Sequence, residues 1–154
     1  MNLFVEKNGF TIMKKIFASL FLLFLLSALL FSDDIYISPE QLPQNALSFI
    51  QKYFPNVSIL YAEMDKKKYE VQLSNGVEIE FFRNGDFKEI DGNYVAIPFE
   101  ILPEPVANTV RRTYPNTVIT KIEKKWNIYE VKLNNMMELY IDANGQLLGQ
   151  KFDD

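Results

Sequence analysis

The chain has 154 residues, with 16 Lys and Arg against 20 Asp and Glu, and it contains neither histidine nor cysteine. That composition excludes a Ser-His-Asp triad, histidine- or thiolate-ligated zinc, thiol catalysis and disulfide staples, so apolar packing must hold the fold. The acidic balance repels nucleic acid and anionic lipid headgroups, and neither is a favoured partner.

In chain order, Met13-Lys14-Lys15 precedes the apolar run Ile16 to Phe31, and Ser32-Asp33-Asp34 follows it. A basic start, an apolar stretch and a switch to acid is the layout of a secretory signal peptide. The run has 16 residues, short of the about 20 that a membrane-spanning helix needs. We read residues 1–32 as a cleaved signal peptide, with 1–12 as an upstream extension and Met13 as an alternative start. A retained N-terminal anchor is the competing reading. Cleavage would leave 13 basic and 19 acidic side chains on a length that suits one compact domain or two very small ones.

A helix is predicted after Leu42-Pro43, because proline at or near the first turn lacks only an N–H that would be orphaned anyway. Ala46, Leu47, Ile50 and Phe54 form its apolar stripe, and Pro55 stops it. Four strands follow, over Val57–Met64, Lys68–Leu73, Val77–Phe82 and Asp86–Ile90. Asn75-Gly76 marks a tight hairpin, since both central residues need positive φ. Asn84-Gly85 marks the next turn. The same order then recurs. A second helix follows Leu102-Pro103, with Pro105 still within its first turn, and Pro115 ends it. Strands are predicted over Thr117–Lys124, Ile128–Leu133, Met137–Asp142 and Gln146–Lys151. There the first hairpin carries Asn135-Met136 in place of Asn-Gly, which predicts a looser turn.

Aligned at an offset of 60 from Ile37 to Gly85, 16 of 49 positions are identical. Chance gives roughly one in fifteen to twenty, so the chain reads as a tandem duplication. We divide it into residues 33–92 and 93–154. The fold class is α+β, a tandem repeat of a helix plus a four-stranded antiparallel sheet, with the two sheets joined edge to edge or packed closely.

Alternation sorts the faces. Tyr69, Val71, Leu73, Val77, Ile79 and Phe81 face the helix, and Tyr129, Val131, Leu133, Met137, Leu139 and Ile141 repeat that face. Glu78, Glu80 and Phe82 face away, as do Glu138, Tyr140 and Asp142. Carboxylates on one face support acid–base or hard-cation chemistry, but their spacing follows strand alternation and matches no metal-loop pattern. The expectation is no catalytic residue, no metal and no cofactor. The run Lys66-Lys67-Lys68 decorates a turn. Exposed aromatics are enriched at binding hot spots, so Phe82, Tyr140 and the turn residue Trp126 are the candidate binding residues, with Glu78 and Glu138 beside them. Packing against a neighbouring strand or the other repeat is the competing explanation for those aromatics.

The ordered set Leu42-Pro43, Ile50, Phe54-Pro55, Ile59, Glu63, Tyr69-Glu70-Val71, Leu73, Asn75, Glu78-Ile79 and Asn84-Gly85, repeated in the second copy, resembles the PepSY-like, β-lactamase-inhibitor-like family. The resemblance implies tandem α/β units, secretion to the periplasm and a non-enzymatic binding or inhibitory role toward a protein partner. β-Lactamase inhibitory proteins with a comparable layout are stapled by disulfides, and this chain has no cysteine, so β-lactamase inhibition itself is not carried over. The functional expectation is an exported binding protein of the peptidase- or enzyme-inhibitor type, which uses its sheet face and leaves the membrane after signal cleavage. A carboxylate-based metal-binding protein and a structural envelope component are the alternatives.

Overall fold

Strict apolar–polar alternation in successive segments produces strands that are dry on one side and wet on the other. The computed structural model describes residues 35–152; the expected signal peptide lies outside the described residues. Nine strands run in chain order: β1 (Ile35–Ile37), β2 (Ile59–Met64), β3 (Lys68–Leu73), β4 (Glu78–Phe82), β5 (Phe87–Asp91), β6 (Ile119–Lys125), β7 (Ile128–Leu133), β8 (Met137–Asp142) and β9 (Leu147–Phe152). They form one antiparallel sheet whose spatial order is the sequence order. Two helices, α1 (Gln44–Tyr53) and α2 (Glu104–Thr113), each follow a single 3-10 turn.

Edge-to-edge joining is the arrangement adopted. Strand β5 pairs with β6 through Glu89 and Glu123, Ile90 and Ile122, and Asp91 and Lys121. A lateral row therefore runs unbroken through Ala62, Val71, Ile79, Ile90, Ile122, Val131 and Leu139, every member of it buried. Each Val, Ile or Leu of the row contributes about 1.5–3 kcal/mol by leaving water. Ala46 and Ile50 of α1, and Val106, Ala107 and Val110 of α2, are buried with them. Strand β1, absent from the sequence prediction, pairs with Ala62 to Met64 of β2.

Helix ends follow the proline logic. Phe54 and Tyr114, each before a proline, leave the helical region at φ −132 and −136. The strands after them begin at Ile59 and Ile119, two residues later than predicted, because the chain is still turning after Pro55 and Pro115. The Asn135-Met136 turn is not looser than its Asn75-Gly76 counterpart. Gly76 N–H donates to the Leu73 carbonyl at 3.0 Å, and Met136 N–H to the Leu133 carbonyl at 3.1 Å. Met136 reaches this closure at φ +65, where Gly76 has φ +94, at a cost of about 1–2 kcal/mol that glycine avoids.

Candidate functional site

On the face turned away from the helices, register alone places six glutamates side by side. Glu63, Glu70, Glu80, Glu89, Glu123 and Glu130 pair laterally across β2 to β7, with Tyr36 beyond one end and Tyr140 beyond the other. Like charges directly opposite one another are destabilising, and lysines in the flanking rows offset them. Lys68 bridges Glu70 and Glu80, Lys88 reaches Glu80 at 2.6 Å, and Lys121 pairs with Glu89 and Asp91. Lys125 holds Glu123 at 2.9 Å and Glu130 at 3.1 Å. Among the described residues, no three acids converge as a cation would require.

The five candidate residues fall into separate patches of this face. Phe82 and Trp126 line one groove of about 510 Å³ with Lys88, Glu123, Lys124 and Lys125. The groove exists because β5 and β6 stop pairing at Glu89 and Glu123, while β6 continues to Lys125 against β7 alone. Tyr140 lies four strands from Phe82, about 19 Å at ordinary strand spacing. The Lys151 ammonium sits 5.8 Å above the Tyr140 ring. Glu138, expected to be exposed, is buried at 3 %, because its lateral neighbours are Lys132 and Lys151. Their ammonium groups approach it to 3.7 and 3.5 Å, and such stems cover apolar and polar surface alike.

Glu78 sits between Gln72 and Asp91. Burial first, then the charges of Glu70, Asp91 and Glu80, hold its carboxyl above the usual range. Glu80 moves the other way: burial opposes ionisation, but hydrogen bonds from Lys68 and Lys88 overcome it and lower its pKa. An acid whose pKa is raised by folding favours the folded state while protonated and opposes it once ionised. Glu78→Gln is therefore expected to raise the melting temperature at pH 7, with the gain vanishing as the pH falls through the raised pKa of Glu78. Melting curves from pH 7 down to about 4 check this, and an equal gain at every pH contradicts it.

Two residues bound the β5–β6 seam. Trp126, at the tip of the β6–β7 turn, is 98 % exposed with φ +56, and Tyr94, in the loop leaving β5, is fully exposed with φ +78. Large side chains in the left-handed region are uncommon, and such strain collects at functional positions. Tyr94 lines a second groove, of about 560 Å³, with Asp91, Val118, Lys121 and Lys132. Sequence reasoning missed it. The available signal was an aromatic placed directly after Gly92-Asn93, in a turn at the boundary between the halves.

A family model described as "Putative beta-lactamase-inhibitor-like, PepSY-like" matches residues 32–81 and again 67–149. Among solved structures, the chain is similar to a putative calcium-regulated periplasmic protein of Bacteroides thetaiotaomicron, with 33 % identity and a TM-score of 0.73, over 77 % of this chain and 97 % of that one. A putative periplasmic protein of Bacteroides vulgatus is similar at 32 % identity and a TM-score of 0.73, with the same coverage. A second protein from that organism, described as periplasmic and of unknown function, is 27 % identical with a TM-score of 0.72, over 77 % of this chain and 98 % of that one. A search of curated proteins finds no match.

Proposed function

The chain belongs to the PepSY-like, β-lactamase-inhibitor-like family, and from that premise we propose that it is an exported, non-enzymatic periplasmic binding protein that holds a protein partner on the outer face of its sheet. One observation carries the reading: Trp126 and Tyr94 stand almost wholly in solvent at the two ends of the seam, in backbone conformations that cost energy, and do no packing for the fold. Exposed aromatics that the fold does not need are characteristic anchors for a partner.

The periplasmic assignment is supported by the descriptions of the similar structures and by the signal-like residues 1–32. No helix among the described residues is long and apolar enough to cross a membrane. The tandem reading, residues 33–92 and 93–154, is supported by the 16 identities at an offset of 60, by two overlapping matches to one family model and by matching registers. Tyr69 pairs with Phe81 in the first half as Tyr129 pairs with Ile141 in the second.

The test is capture from periplasmic extract with the full exported chain as bait. Phe82→Ser combined with Tyr140→Ser is expected to keep the native circular dichroism spectrum and to cut partner recovery about tenfold or more. Undiminished recovery, both there and with Trp126→Ser combined with Tyr94→Ser, would mean that the outer face is not the binding surface. A second reading has one observation in its favour, the row of six glutamates, alongside the calcium-regulated description of a similar protein. Micromolar Ca²⁺ binding by calorimetry, lost in Glu80→Gln combined with Glu89→Gln within that row, would favour that carboxylate reading instead.

A further inference from the structure

We infer that the notch between β5 and β6 is a docking site for one extended, acidic segment of a partner protein that carries an apolar anchor; this rests on the sheet-face reading above and names the partner's chemistry. Three features of the notch converge on that occupant.

Its floor and rim are apolar, formed by Phe82, 40 % exposed, and Trp126. A volume of about 510 Å³ is in the range that takes one or two large side chains.

Its wall is a strand end left without a partner on one side. Beyond Glu123, β6 has β7 on one side and no strand on the other among the described residues. An extended chain laid beside Lys124 and Lys125 would continue the sheet, the mode in which main-chain hydrogen bonds supply affinity and side-chain pockets supply specificity.

Its charge is positive, on a chain that is acidic overall. Lys88, Lys124 and Lys125 line the notch against the single acid Glu123, and Lys66, Lys67 and Arg83 occupy the neighbouring turns at the same end of the sheet. Lys88 and Lys125 already hold glutamates, whereas Lys66, Lys67 and Lys124 make no ion pair among the described residues. A broad polyanion fits poorly here. The row of six glutamates lies two residues along the strands from Phe82, about 7 Å at strand rise, and would repel a lipid surface or a nucleic acid. A single chain can run along the strand end past Lys124 and Lys125 and meet only Glu123 of the acidic row, which Lys125 already holds.

The protein carries its own reporter, because Trp126 is its only tryptophan. The full chain is titrated with a synthetic peptide of about eight residues alternating aspartate and phenylalanine, and with the same peptide carrying lysine for aspartate. The acidic peptide is expected to give a saturable blue shift of the Trp126 emission. Lys124→Glu is expected to weaken binding about tenfold, and Phe82→Ser by a similar factor. Added salt should weaken it further. No saturable shift up to about 1 mM peptide, equal binding of the lysine peptide, or unchanged affinity in a natively folded Lys124→Glu would overturn the proposal. So would a shift produced by phosphatidylglycerol vesicles and not by the acidic peptide. If the peptide fails while Tyr140→Ser still weakens partner capture, the notch is wrong and the sheet-face reading stands.

Discussion

Phe81→Ala is expected to destabilise the whole domain by about 3–5 kcal/mol and to lower its melting temperature by about 10 °C or more. The residue is fully buried and pairs laterally with Tyr69 and Phe87. Phe49 of α1 lies over it edge-on, with ring centroids 5.7 Å apart at 85°. The same Phe49 ring also meets Phe87 at 5.3 Å and Tyr53 at 4.8 Å. Truncation therefore removes transfer energy, opens a cavity, and takes one ring pair, worth about 0.5–1.5 kcal/mol beyond area, from a cluster centred on Phe49. The equivalent cluster is missing from the second half, where Thr109 stands at the place of Phe49 and Ile141 at that of Phe81. Even so, the loss should appear as one transition, because the buried row crosses from Ile90 to Ile122. Denaturation followed by circular dichroism checks both parts. Two separated transitions would show that the halves unfold independently, and a loss below about 1 kcal/mol would show that the cluster relaxes. The adjacent Phe82→Ser is the control, since its side chain is 40 % exposed.

Gly145→Ala is expected to cost about 2–4 kcal/mol, from a left-handed backbone and an overpacked contact together. Gly145 has φ +86, and a Cβ added there would lie 2.6 Å from the Pro105 carbonyl oxygen. That contact is backbone at the start of α2, so the helix itself must move. Thr109 of the same helix donates its hydroxyl to the Gly145 carbonyl at 2.6 Å, and any shift loosens that bond as well. Gly76→Ala separates the two contributions. Its φ is +94, but nothing lies within 4 Å of the added carbon, so only the conformational part of about 1–2 kcal/mol remains. Equal losses in the two variants would remove close packing of α2 on the β8–β9 turn from the explanation.

Much of the fold was legible because alternation is a local signal. The bounds Lys68–Leu73, Ile128–Leu133 and Met137–Asp142 are as predicted, and each stripe of helical residues found the face it was assigned. Four things were not legible, for different reasons. Strand β1 is Ile-Tyr-Ile, too short to show a period. The seam pairs Glu89 with Glu123, residues whose juxtaposition no local pattern encodes. Alternation gives the face of Glu138 but not its cover, which depends on Lys132 and Lys151 from two other strands. The positive φ of Met136, Tyr94 and Trp126 has no signature in residues that normally avoid it. Of the candidate binding residues, Phe82 and Trp126 meet in one groove, Tyr140 and Glu138 share a separate patch, and Glu78 stands apart at the other end of β4 from Phe82.

The last strand has a bearing on colloidal behaviour. No described strand covers the far side of β9, and Leu147, Leu148 and Phe152 are exposed along it. Such a rim templates fibres when it is long and flat. Here the register slips between Tyr140 and Ile141, opposite Leu148, so the rim twists, and Gly149 and Lys151 interrupt its apolar run. The kink at Leu148, the missing side chain at Gly149 and the charge of Lys151 are therefore the three positions that blunt this rim against strand addition by a second copy.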